Sequence, residues 1–146
     1  MGGHGALISY FKCPAQYKSV SALAPIYNPM EDQSMKDIFR KYLEEGTRRN
    51  FLRSEKNFIC IDEQLCKKYD LLELVQVYEG PISYAPILID DNSSSQSHEK
   101  FLQACSRASF PIQVRAHHDF DNSHYFLSTF LEDHLRYHQT EFQQMN

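Results

Sequence analysis

The sequence predicts an α/β fold, a three-layer α/β/α sandwich with a short, mostly parallel sheet. Three observations carry this. Apolar runs of strand length alternate with stretches of helical periodicity, so consecutive strands are joined by helical crossovers and pair in parallel. The run Ala85 to Ile89, closed by Asp90 and Asp91, is apolar throughout, as in a strand buried in a sheet. The chain has 146 residues, one domain's worth at roughly 100–200 residues per domain. Residues 1–146 are therefore read as a single, partial domain. Only about three strands are visible against the usual ~4–6, so the sheet looks incomplete.

The chain opens with Gly2, Gly3 and Gly5 running into Ala6 to Phe11, a helix whose start permits close backbone approach. Pro14 ends it, because Cys13 is pushed out of the helical region. Val20 to Ala24 follows as a strand, closed by Pro25 and Pro29. Asp32 or Ser34 caps a helix to about Glu45, with Gly46 ending it, and Thr47 to Lys56 reads as a loop. Asp62 caps a short helix over Leu65 and Cys66, and Asp70 another over Leu71, Leu74 and Val75. Gly80-Pro81 turns the chain into the Ala85 to Asp90 strand, followed by a polar loop, residues 91–97. His98 to Ser109 is a helix with Phe101, Leu102 and Cys105 inward, and Phe110 to Arg115 is the third strand. The last helix runs from about Ser123 to Phe142, with Phe126, Leu127, Phe130, Leu131 and Leu135 at helical spacing.

Composition narrows the function classes. Lys and Arg number 15 against 19 Asp and Glu, a net charge of −4, without the basic surplus of a phosphate-gripping nucleic-acid binder. The longest apolar stretch, Tyr84 to Ile89, is far short of the roughly 20 residues that cross a bilayer. The N-terminus has no basic and apolar leader, and Ala6 stands where a myristoylation signal needs Ser or Thr, so the expected location is the cytoplasm. Cys13, Cys60, Cys66 and Cys105 form no Cys-x-x-Cys pair and read as reduced, mostly buried thiols.

A longer constellation then emerges. Met1 to Leu7, Tyr17 to Ala22 with Ala24-Pro25 and Asn28-Pro29, Tyr42-Leu43, Tyr69-Asp70, Leu74-Val75, Ile87 to Asp90, and Ser123, Tyr125-Phe126, Thr129-Phe130 and Asp133-His134 occur in order. Together they strongly resemble S-formylglutathione hydrolase, also called esterase D, over the region after its catalytic serine, with an apparent insertion within residues 46–64. The resemblance implies the C-terminal half of an α/β-hydrolase, whose nucleophile sits in a Gly-x-Ser-x-Gly elbow. The family elbow reads Gly-His-Ser-Met-Gly-Gly-His-Gly. The nucleophile serine would then fall immediately before Met1, and Met1 would occupy the oxyanion-hole slot.

The remaining slots carry over one by one. The family acid lies in Asp-Gln-Gly-x-x-Asp-x-Phe-Leu, and matching forward from Asp90 puts Ser95 on the catalytic Asp and Ser97 on the Phe. A serine cannot stabilise an imidazolium electrostatically, so the role is lost unless Asp90 or Asp91 substitutes. The family histidine lies in Gly-Tyr-Asp-His-Ser-Tyr-Tyr-Phe, and Asn122 takes its slot. His124, two positions on, points about 200° away on a helix and is a weak substitute.

Other candidate chemistry in the sequence has plainer readings beside it. The segment His117 to His124 could suggest a metal site, but neighbouring strand positions send His117 and His118 to opposite faces, and a polar loop before the last helix is favoured. His134 and His138 stand at i, i+4 and could grip zinc, but are read as part of a solvated face. Ser94 and Ser95 read as exposed loop rather than nucleophiles, and Arg48 and Arg49 as solvated rather than anion-binding.

The resemblance implies cleavage of S-formylglutathione to glutathione and formate during formaldehyde catabolism, without a cofactor or metal, generally in a homodimer. The expected partners are a glutathione thioester, no nucleic acid and no membrane. The replaced slots predict that the chain is catalytically deficient. The alternative is a non-catalytic pseudoenzyme or fragment acting through protein contact, its first strand exposing an edge that invites pairing.

Overall fold

The computed structural model describes residues 2–13, 15–29, 31, 67–82, 85–92, 95–121 and 123–144. Their elements run α1 (Gly2–Lys12), β1 (Ser21–Leu23), α2 (Leu71–Gln76), β2 (Ile87–Asp91), α3 (Gln96–Arg107), β3 (Ile112–Ala116) and α4 (His124–Gln143). The strands form one sheet of order β1-β2-β3, both pairs parallel, with Ala22 opposite Ile89 and Ile89 opposite Val114. The chain thus has the α/β architecture its sequence predicts. The helices expected within residues 32–66 and the 46–64 insertion lie outside the described residues, as do Cys60, Cys66, Ser94, Arg48 and Arg49.

Strand alternation divides the sheet into two chemically different faces. Ala22, Ile87, Ile89 and Val114 face α1, α2 and α3, where they pack with Leu7, Phe11, Leu71, Val75, Phe101 and Phe110 into the apolar core. Phe11 anchors it, edge-on to Phe110 at 5.3 Å and to Tyr78 at 5.9 Å. Buried among these groups, the Cys105 thiol is pushed up to about 12 by desolvation, so it stays protonated at neutral pH.

The other face of the sheet carries Ser21, Asp90 and Arg115 toward α4. β2 is buried along its whole length, including both terminal acids. The central strand therefore directs one carboxylate to each face.

Helix boundaries follow local capping. Asp70 accepts from the Leu72 N–H and opens α2. Ser95 accepts from the His98 N–H, so α3 begins at Gln96 rather than at His98. Gly3 is fixed by close approach: a Cβ there would lie 2.8 Å from the Leu23 carbonyl oxygen and 3.3 Å from Pro25 Cα, both backbone. The glycine lets α1 lie directly on the end of β1.

The last helix spans the range its periodicity predicts and buries only part of its apolar stripe. Phe126 is buried on α4 as its spacing predicts, but Leu127, Leu131 and Leu135 are exposed. Three described strands cover only one flank of this helix. His134 and His138 are also not the solvated face read from the sequence, because both point at the sheet.

Candidate functional site

The C-terminal ends of parallel strands are where an α/β sheet collects polar groups. Two clusters form there, one on each face of β2.

On the α3 face, Asp91 is buried and accepts from two partners through one oxygen. His98 Nδ1 lies 2.6 Å from Asp91 Oδ2, and the Tyr27 hydroxyl donates to the same atom at 2.8 Å. The Tyr27 and His98 rings meet edge-to-face at 5.0 Å. The Asp91 carboxylate thus fixes the orientation of the His98 ring through Nδ1. Burial, reinforced by Asp91, pushes the Tyr27 hydroxyl far above its ordinary range, so it stays a hydrogen-bond donor.

Beside this pair opens a cavity of about 360 Å³ lined by Ala24, Tyr27, Asn28, Glu31, Asp91 and Ser95 among others. At its rim Ala24 takes a left-handed φ of 41° directly after β1. Its N–H still donates to Asp90 O at 2.8 Å, which keeps the turn tied to the sheet.

On the α4 face, Asp90 is fully buried and clamped by Arg115, whose Nε and Nη2 each reach a carboxylate oxygen at 2.5 Å. Arg115 Nη1 extends to Asp133 of α4 at 3.0 Å. His134 Nε2 and His117 Nε2 lie 3.3 and 3.5 Å from Asp90 oxygens, close enough for attraction but without hydrogen-bond alignment. Both histidines lie beyond the end of β3 and not on alternating strand positions: His117 stacks on Phe130 at 3.9 Å, while His118 is exposed in the turn that follows. One turn after His134, His138 bonds to the Ser19 and Ser21 hydroxyls at 2.8 and 2.9 Å. The i, i+4 pair is thus split between different partners.

Burial lowers the pKa of His4, His134 and His138 below the ordinary 6.5, in each case as the largest cause. For His4 the Ile26 carbonyl at 2.6 Å opposes this, and for His134 the Asp90 carboxylate does. Such a histidine binds its proton more readily in the unfolded chain, so its contribution is complete above about 6.5 and is lost as pH falls below that value. We expect the urea midpoint to fall as pH drops from 7.5 to 5.5. The His4→Gln variant should show a flatter profile over that window, and an unchanged slope would contradict the assignment.

Of the residues singled out from the sequence, Ser95 sits at the cavity and caps α3, with its hydroxyl 3.1 Å from that of Ser97. His124 is the exposed first residue of α4. Met1 and Asn122 lie outside the described residues. Sequence reasoning missed Tyr27 and His98. The available signal was Asp91 itself, an acid ending an apolar strand, which needs a partner wherever it is buried.

The matches to known proteins agree with this architecture. Residues 1–137 match the family model described as "Putative esterase". The chain belongs to the Esterase family. It is 37% identical to S-formylglutathione hydrolase of Bos taurus over 145 aligned residues, covering 94% of this chain and 45% of that protein. The Mus musculus S-formylglutathione hydrolase gives the same identity and coverage. That of Arabidopsis thaliana is 34% identical over 144 residues, covering 94% of this chain and 44% of its own length. The chain thus spans less than half the length of these relatives. Among the described residues, no helix is long and apolar enough to cross a membrane.

Proposed function

We propose that this chain carries the scaffold of a glutathione-thioester esterase without working triad chemistry of its own. The observation that carries the reading is how the groups at the end of β2 are engaged. Both carboxylates are committed, Asp90 to Arg115 and Asp91 to Tyr27 and His98. The one imidazole hydrogen-bonded to a carboxylate there, His98, meets no hydroxyl at Nε2 among the described residues. Tyr27 is turned to the carboxylate instead, and the Ser95 hydroxyl accepts from the His98 backbone.

The family slots point the same way. An amide at Asn122 cannot accept a proton from a serine, and a hydroxyl at Ser95 cannot stabilise an imidazolium. Phe101 rather than Ser97 fills the core, so the acid slot can also be counted back from Phe101-Leu102. That count lands on Glu99, an exposed residue in the first turn of α3 that holds no imidazole among the described residues. On either count the base slot at Asn122 holds an amide, which supports the reading.

The test is hydrolysis of S-formylglutathione and of p-nitrophenyl acetate by the purified chain. Intact enzymes typically turn over at ~1–10³ per second, so a working triad would be unmistakable. We expect a rate equal to that with heat-denatured protein. A rate that follows the protein through purification and is blocked by a serine-directed fluorophosphonate would overturn the proposal.

A further inference from the structure

Ser19, Ser21 and His138 form a second cluster of chemistry-bearing side chains, remote from the cavity. Ser21 opens β1, so the cluster sits at the N-terminal ends of the parallel strands, at the opposite end of the sheet from Asp91 and His98. Two contacts of α4 hold the imidazole there. Tyr137, the preceding residue, donates to the Pro86 carbonyl just before β2, and Asp133 accepts from Arg115 on β3.

The geometry around His138 is two-sided. Nδ1 lies 2.8 Å from the Ser19 hydroxyl and Nε2 lies 2.9 Å from the Ser21 hydroxyl. Burial holds the His138 pKa below the ordinary 6.5, against the pull of Glu141 one turn further along α4, so the ring is neutral at pH 7. A neutral imidazole has one N–H and one bare nitrogen, so it donates to one of these serines and accepts from the other. Ser21 is fixed in β1 opposite Leu88, whereas Ser19 is half-exposed in the irregular chain that follows exposed residues 15–18. Ser19 is therefore the hydroxyl that an incoming molecule reaches, and Ser21 the one suited to orient the base. A hydroxyl within reach of a base that a third group orients is the arrangement that makes an oxygen nucleophilic.

We propose that Ser19, His138 and Ser21 form a relay in which Ser19 is acylated by small activated esters and thioesters. Ser21 accepts from Nε2–H and leaves Nδ1 bare toward Ser19. In the step, a bond forms between Ser19 Oγ and the acyl carbon, and the bond from that carbon to the leaving oxygen or sulfur breaks. The Ser19 proton passes to Nδ1 and from there to the leaving group or to water. The step is one acyl transfer and not turnover, and it uses none of the family slots. A single lasting acyl group on Ser19 therefore leaves the proposed function intact, while steady hydrolysis would overturn that function and not this relay.

The test is timed exposure of the purified chain to p-nitrophenyl acetate at neutral pH, followed by peptide mass mapping. Ser19 is expected to gain one acetyl group ahead of the lysines and the other serines, and Ser19→Ala should abolish that label. His138→Gln keeps a hydrogen-bonding side chain but cannot take the proton. It should slow labelling of Ser19 about a hundredfold, since a general base contributes ~10²–10⁴. Added imidazole should restore the label in His138→Ala, which a purely structural histidine would not allow. Ser21→Ala should slow the label, and Ser21→Thr, which restores a hydroxyl, should recover it. The position of the acetyl group in the parent chain is read without any substitution, so a variant that folds poorly does not leave the matter open. The proposal is overturned by acetylation that does not favour Ser19, or by a Ser19 label that forms at the parental rate in His138→Gln and Ser21→Ala.

Discussion

Replacing Arg115 by methionine is expected to destabilise the fold by about 3–5 kcal/mol, because it strands a buried carboxylate. Asp90 has no exposure, and its two oxygens are taken by Nε and Nη2 of one guanidinium at 2.5 Å. The remaining neighbours, His117 and His134, approach without aligned hydrogen bonds, so neither replaces the bidentate clamp. Arg115 itself is partly exposed and keeps Asp133 as a partner. Removing the acid instead should therefore cost less than removing the base. Adding Asp90→Asn to Arg115→Met should recover most of the loss, since an amide leaves no buried charge. Urea denaturation of the three variants decides it. Equal losses for Arg115→Met and for the double variant would show that the arginine stabilises through packing of its stem and not through the carboxylate.

The second large effect is expected at Phe101. This ring has no exposure, lies 5.2 Å from Tyr27 and meets Phe11 edge-on at 6.3 Å. Truncation to alanine should cost about 3–5 kcal/mol through lost transfer energy and the cavity left behind. A domain of this size has only about 5–15 kcal/mol in total, so the variant should be partly unfolded at 37 °C. The consequence also reaches the site, because Phe101 supports Tyr27, and Tyr27 holds Asp91. Phe101→Leu, closer in volume, should show a smaller shift in the urea midpoint. If alanine and leucine behave alike, the ring is not packed as described.

Much of the layout was legible because it is written locally. Asp70 caps its helix through the next turn, Pro14 follows the end of α1, and the run Ile87 to Ile89 is a strand by composition alone. The start of α3 was misplaced by two residues because the polar stretch ahead of His98 gives no apolar periodicity, and only the Ser95 cap marks where it begins. The exposure of Leu131 and Leu135 is illegible for another reason. Periodicity shows that a helix has an apolar stripe but not how much neighbouring structure is present to cover it.

The candidate site was less legible still. Tyr27, Asp91 and His98 converge although 64 residues separate the tyrosine from the acid. The sequence alone determined the family and the order of the described helices and strands, because these follow from residue identity and spacing. Tertiary structure decided which acid meets which base. Alternation along β2 sends Asp90 to Arg115 and Asp91 to His98, and such a choice between the two faces of a sheet exists only once the layers have packed.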